Sequence, residues 1–199
     1  MEITTETIKT LREKTGCGMM DCKAALTDAK GDFEQAIDVL RKKGIAAVAR
    51  RAGRVAAEGL IDSYIHIGGK IGVLVEVNCE TDFVARSTDF QAFVKDLCLQ
   101  IAAANPQYIT KDDVPDGIVE HEKDIISTQA GTEGKPEKAV EKIVEGRLQK
   151  FYSEVCLLDQ PFIRDQKKSI KDLLGELSAK IGENIVIRRF IRYQLGEKS

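Results

Sequence analysis

No run of apolar residues approaches the roughly 20 needed to span a bilayer. The opening Met-Glu-Ile-Thr-Thr-Glu also lacks the basic and apolar regions of a signal peptide. A cytoplasmic protein without membrane contact is therefore expected. Imidazole is available only from His66 and His121, and no Cys-x-x-Cys pair occurs, which leaves a structural zinc site little to build on. Five cysteines, odd in number and scattered, argue against a disulfide framework and for reduced thiols. Charge of one sign is lacking too. Lys and Arg total 30 against 32 Asp and Glu, so no overall attraction to nucleic acid phosphates is expected. Neither the Walker spacing of glycines nor the dinucleotide spacing appears, and Asp112, Asp113 and Asp116 lack the spacing of a calcium loop. No nucleotide, metal or other cofactor is expected to bind the chain itself.

What the sequence has is material for a core. Apolar residues make up 43% of 199 and charged residues 31%, enough to bury and too balanced for disorder. Residues 1–44 read as three short helices with glycine turns. Ile8 and Leu11 share a face of the first, which stops near Thr15 and Gly16, and Met19 or Met20 to Ala29 forms the second, with Gly31 as cap. Asp32 and Gln35 mark the start of the third, whose apolar positions are Phe33, Ala36, Ile37 and Leu40 and whose end is expected at Gly44. Such a module has a small core and the outline of a ubiquitin-associated domain. Residues 45–58, rich in alanine and arginine, form a connecting helix or a linker. With Arg41, Lys42 and Lys43, the side chains of Arg50, Arg51 and Arg54 could make a phosphate-binding patch, but no aromatic residues are interleaved for base stacking, which favours a solvated connection.

From residue 59 onward the pattern is that of an α+β core domain, 59–199. Alternation with Ile61, Ile65 and Ile67 on one face, a turn at Gly68–Lys70, and a return strand with Ile71, Val73, Val75, Val77 and Cys79 on one face predict a β-hairpin. A late strand over Ile185–Leu195 is expected to complete a three-stranded antiparallel sheet. It is apolar on both faces, with Ile185, Ile187 and Ile191 on one and Val186 and Phe190 on the other, which predicts a homodimer through the sheet face that no helix covers. Helical stripes at Phe90–Ile101 and Val140–Phe151 read as core, Gly131–Pro136 as a mobile loop, and Ser169 with Asp172 starts a last helix that Gly182 closes.

Catalysis finds little support. Cys79 with His66 and Glu80 is the one conceivable thiol site, and a buried structural cysteine is the commoner use of such a residue. The unusual segment is Asn78–Arg86, placed on a loop between strand and helix. There Phe83 and Val84 either fold onto the core or project as an apolar wedge beside Asp82.

Three separated blocks carry a resemblance: Gly16-Cys17-Gly18-Met19-Met20-Asp21-Cys22-Lys23; Glu80-Thr81-Asp82-Phe83-Val84; and Gly182-Glu183-Asn184-Ile185 with Arg188, Arg189 and Phe190. In these, and through essentially its whole length, the chain resembles the elongation factor Ts family in its short form, without a second core half or a coiled-coil insertion. The resemblance implies a factor of translation elongation, not an enzyme, that binds elongation factor Tu carrying GDP, disturbs its magnesium and phosphate site, and stabilises the empty form until GTP enters. It also implies partner-binding roles for Arg12, Met19 and Met20 in the helical module and for Thr81, Asp82, Phe83 and Val84, with the aromatic ring of Phe83 inserted into the partner. Contacts that a second core half makes in longer members are left to a second copy. The other reading kept open is an RNA-associated translation protein that uses Arg41–Arg54.

Overall fold

A computed structural model describes residues 3–15, 17–51, 53–132 and 137–197. The three N-terminal helices are α1 (Thr5–Thr15), α2 (Met19–Asp28) and α3 (Phe33–Arg51). Helix α2 ends where Gly31, at φ 83°, donates its amide to Leu26 O (2.8 Å), a left-handed closure that glycine adopts without strain. Helix α3 starts where the Asp32 carboxylate accepts the amide of Gln35 at 2.9 Å. Ile8, Leu11, Cys22, Ala25, Leu26, Ala29, Ala36 and Leu40 converge as one core of these three helices. One expectation fails: α3 passes through Gly44 without stopping and runs to Arg51. A glycine costs a helix interior only about 1 kcal/mol, and here a Cβ at Gly44 would stand 3.4 Å from Ala179, so a small residue suits the helix packed there. Gly16 of the first turn lies outside the described residues.

Strands β1 (Glu58–Ile65) and β2 (Ile71–Cys79) form the hairpin, and with β5 (Val186–Gln194) they make a three-stranded antiparallel sheet in the order β1-β2-β5. Ile67, expected in the first strand, lies beyond it and is exposed. The chain turns at Gly68 and Gly69, both at positive φ. Along β2, Val73, Val75, Val77 and Cys79 are buried. On the opposite face stand Ile61, Ile65, Leu74, Ile191 and Tyr193, all exposed. A Cβ on Gly72 would sit 3.1 Å from Ile65, and Arg189 pairs with Glu76 at 2.7 Å, which fixes these residues on one side by alternation. Ile185 and Ile187, expected on one face with Ile191, are buried where Ile191 is exposed, and Val186 and Phe190 of the other face are half-buried.

The remaining elements are α4 (Asp82–Ala85), α5 (Thr88–Ala104), α6 (Asp116–Thr132), α7 (Glu137–Val155), β3 (Pro161–Phe162), β4 (Asp165–Ser169) and α8 (Ile170–Ile181). The short β3–β4 pair was not expected: its polar strand Asp165–Ser169 carries no alternation to read. Gly131 and Thr132 close α6, contrary to the expected loop, and 133–136 lie outside the described residues. The Phe90–Ile101 stripe is buried, whereas Val144, Leu148 and Phe151 of α7 are only half-buried because α7 pairs with α6 as a two-helix hairpin. The last helix opens as expected. Ser169 and Asp172 exchange side-chain and backbone bonds at 3.0 and 3.1 Å, and Gly182, at φ 87°, closes it with its amide on Ser178 O.

The chain gathers into two compact units. The first comprises Met1–Leu60, Val77–Phe93 and Leu173–Arg188; the second comprises Ile61–Glu76, Val94–Asp172 and Arg189–Ser199. In the second, buried Gln100 donates to Gln160 Oε1 (3.0 Å) and Pro161 O (3.2 Å) and accepts from Ile163 N (2.9 Å), so no side-chain dipole of that glutamine is left unpaired. In the first, Gly59 (φ 147°) lies against β2 so closely that a Cβ would collide with Val77 O and would stand 2.7 Å from Asn78 Cα. Both neighbours are backbone and cannot yield without opening the ladder. Gly59→Ala is expected to destabilise the fold by on the order of 3 kcal/mol in urea unfolding; a loss under about 0.5 kcal/mol would show that β1 shifts freely.

Candidate functional site

Strand β2 ends on Cys79, fully buried, and its thiol donates to Thr81 O at 3.1 Å, turning the chain out of the strand. Thr81, extended at φ −130° and ψ 151°, then caps a single helical turn: its Oγ1 accepts the amide of Val84. The Thr-Asp-Phe-Val segment is thus a capped turn of helix, α4, where a loop was expected. Val84 and Ala85 point inward and are buried, so the turn is anchored from beneath. Phe83 points outward and is 83% exposed, the most exposed phenylalanine position described. Asp82 beside it is ion-paired with Arg86 at 2.8 Å, both side chains largely in water, where such a pair contributes about 0–1 kcal/mol.

The turn is held from the far end of the sequence. Glu183, just past α8, takes three hydrogen bonds on its carboxylate: Oε2 accepts the amides of Glu80 (3.0 Å) and Thr81 (3.1 Å), and Oε1 accepts the Thr81 hydroxyl (2.7 Å). The exchange is reciprocal. Glu80 Oε1 accepts the amide of Asn184 at 2.7 Å and lies 3.5 Å from the Arg54 guanidinium, while Asn184 Nδ2 donates to Arg54 O at 2.9 Å. Ser178, buried in α8, donates to Glu183 O at 2.6 Å and fixes that residue in turn. Sequence reasoning recognised both blocks but gave none of Glu80, Glu183, Asn184 and Arg54 a part in holding the turn. No local pattern announces a carboxylate that caps an amide 103 residues away.

The helical module presents a second exposed patch in the same compact unit. Met19 is 38% exposed and Met20 76% at the start of α2. Met19 and Arg12 line an open depression of about 530 Å³ with Lys9, Glu13 and Lys180, whereas Met20 stands outside its lining. Of the seven expected site residues, Phe83, Asp82, Met19, Met20 and Arg12 face outward, Val84 is buried, and the Thr81 hydroxyl is committed to bonds within the turn. Three cations of the basic stretch are spent on contacts within the first unit: Lys43 pairs with Asp28 (2.7 Å), Arg51 donates to Ser178 O (3.3 Å), and Arg54 pairs with Glu80.

A thiol site is not assembled. His66 donates its amide to Ile71 O at the start of β2, and Cys79 closes the other end of that strand. Burial, reinforced by the nearby Glu183 carboxylate, pushes the Cys79 thiol up to about 11; burial likewise raises Cys98 to about 12 and Cys156 to about 11. Because the folded values lie above the ordinary 9.0, the protonated thiols favour the fold fully below pH 9 and that contribution is lost as pH rises through 11 to 12. At pH 8, iodoacetamide should label half-exposed Cys17 first and reach Cys79, Cys98 and Cys156 only on unfolding. Rapid native labelling of Cys79, followed by mass spectrometry, would contradict the burial described.

Residues 2–197 match the family model described as elongation factor TS. The chain is 62% identical over 195 residues to the elongation factor Ts of Thermoanaerobacter sp. (strain X514), covering 98% of this chain and 96% of that one. It is also 62% identical over 195 residues to that of Caldanaerobacter subterraneus subsp. tengcongensis, covering 98% of both. With the elongation factor Ts of Moorella thermoacetica it shares 60% over 190 residues, 96% of this chain and 94% of that relative.

Proposed function

We propose that this chain, which belongs to the elongation factor Ts family, is the guanine nucleotide exchange factor for elongation factor Tu, acting in the cytoplasm. In this reading it binds the GDP-bound partner, disturbs the magnesium and phosphate site, and holds the empty form until GTP enters. No bond is made or broken and no cofactor is used. The observation that carries the proposal is Phe83: a large apolar ring, 83% exposed, on a turn whose backbone is braced rather than loose. A solvated ring on an immobile support is suited to insertion between elements of a partner, where its burial contributes about 1.5–3 kcal/mol.

Magnesium requires near-octahedral oxygen coordination at short distances, so a small displacement of partner side chains weakens ion and β-phosphate together. Linkage sets the thermodynamics. If the factor favours the empty partner over the GDP-bound one, GDP must weaken factor binding by the same ratio, with about 1.4 kcal/mol for each tenfold. Asp82 stands beside the wedge, Val84 anchors it and Thr81 caps it. Arg12, Met19 and Met20 form the second contact, with the thioethers adapting to the partner's nucleotide-binding domain. In domain terms the proposal treats 1–44 as a partner-binding module of ubiquitin-associated outline, 45–58 as the connection and 59–199 as the core domain.

Phe83→Ala is the decisive variant. Because the ring contributes almost nothing to its own fold, the melting temperature should stay within a few degrees. Release of fluorescent GDP from elongation factor Tu should slow about tenfold to a hundredfold. A variant whose folded fraction releases GDP at the wild-type rate would remove the wedge from the mechanism.

The core domain is proposed to pair with a second copy. Ile61, Ile65, Leu74, Ile191 and Tyr193 make an exposed apolar sheet face in the second compact unit, where an antiparallel sheet facing water carries polar side chains. A two-fold pairing buries it against itself. Light scattering at tens of micromolar should give a dimer, and Leu74→Lys, at the middle strand, a monomer with unchanged circular dichroism. A wild-type monomer at that concentration defeats the pairing.

A further inference from the structure

Among the described residues, the exposed apolar positions Phe83, Met19, Met20 and the sheet face are already used by the proposed contacts, and the groove between α6 and α7, lined by Lys123, Val140, Val144 and Leu148, shows nothing of what would cover it. The group that remains unexplained is the Glu183 carboxylate, spent on two backbone amides and one hydroxyl. We propose that Glu183 is the positioning residue of the exchange reaction: its three hydrogen bonds to Glu80 and Thr81 hold α4 in the orientation that projects Phe83. The proposal rests on the wedge reading given above.

The geometry supports a dedicated role. Glu183 Oε2 bridges two successive amides, at 3.0 and 3.1 Å, and Oε1 takes the Thr81 hydroxyl at 2.7 Å. That hydroxyl donates to Glu183 and accepts from Val84 N at 3.4 Å, so one carboxylate sets both the entry to the turn and the donor direction of its cap. A four-residue helix has too few internal bonds to define its own direction. Beneath it Val84 and Ala85 supply an apolar anchor, but apolar contact is non-directional. Glu183 adds directional points of attachment at the entry to the turn. Ser178 holds it by its carbonyl (2.6 Å) and Gly182 places it just past the end of α8.

Its effect on exchange should therefore pass through Phe83. Without the clamp the turn samples several orientations, and the ring reaches its seat in the partner only after ordering that otherwise comes prepaid with the fold. The test is a double-mutant cycle on the full chain, read by stimulated release of fluorescent GDP from elongation factor Tu and by thermal denaturation. Glu183→Ala should reduce kcat/KM about tenfold in the wild-type background and less than about twofold in the Phe83→Ala background. Its shift in melting temperature should be the same in both backgrounds. Glu183→Gln, which keeps an acceptor for the two amides, should recover all but about threefold. If Glu183→Ala fails to fold, Thr81→Val replaces it in the cycle, with an expected loss of about threefold that again vanishes without Phe83.

Losses that multiply across the two backgrounds overturn the positioning role while leaving the wedge intact. Folded Glu183→Ala releasing GDP at the wild-type rate does the same. A normal rate for Phe83→Ala alone overturns the wedge and this inference with it.

Discussion

Backbone amides leaving a β-strand need acceptors, and here the acceptors are two glutamates that answer each other across the first compact unit. Glu183 receives the amides of Glu80 and Thr81, and Glu80 receives the amide of Asn184. Charge-assisted bonds of this kind are shorter and about twice as strong as neutral ones, and leaving a part-buried donor unmet costs about 1–3 kcal/mol. Two carboxylates so close would repel if they were not each spent on N–H donors, with the Arg54 guanidinium beside Glu80. The strand end, the turn that bears Phe83 and the end of α8 are therefore joined by one set of hydrogen bonds. Closing that contact spans 103 residues, a non-local pairing whose loop-closure entropy must be met before the bonds reward it.

An exposed phenylalanine is a departure from what stability alone would select. Phe90 and Phe93, a turn of helix further on, are buried and support the fold in the ordinary way. Phe83 supports nothing in its own chain, yet the structure invests a capped turn, a buried valine and three hydrogen bonds in where it points. That distribution is what preorganisation requires: ordering is completed at folding, so it is not charged again at association. The same logic separates the two patches of this unit. Phe83 is rigidly held, whereas Met19 and Met20 are flexible thioethers on the first turn of α2, able to adapt where Phe83 cannot. On the proposed function, the first distorts and the second grips.

Local chemistry was legible and distant chemistry was not. The Asp32 cap, the Gly31 closure and the Ser169–Asp172 box were readable because each is a bond between residues a turn apart. The hairpin was readable because strand alternation survives in Val73, Val75 and Val77. Gly44 misled because a glycine ends a helix only where it turns left-handed, and here it keeps helical backbone with Ala179 packed close by. The polar β3–β4 pair is fixed by Gln100 and Gln160 from outside, and leaves no periodic trace. Val84 and Phe83 are adjacent and equally apolar, so composition could not say which would be buried. The answer lies in the Thr81 cap, which sets the phase of the turn, and in Glu183, which sets Thr81.

Two of the three motif blocks, Glu80–Val84 and Gly182–Ile185, are the halves of the carboxylate exchange. The remaining block, with Met19 and Met20, lies in the module whose core is built from α1, α2 and α3, and α3 reaches the same neighbourhood through Arg51, which donates to Ser178 O, the residue that in turn holds Glu183. A displacement of α3 would thus be felt at the backbone carbonyl beneath the clamp. The helix could not have ended at Gly44 and still made that bond, so its continuation to Arg51 links the helical module to the residue beneath the clamp within the first compact unit. On the proposed function, two contacts on one framework bind the partner with the second already at high effective concentration, leverage that loosening a nucleotide held by many oxygen contacts requires more than any single strong bond.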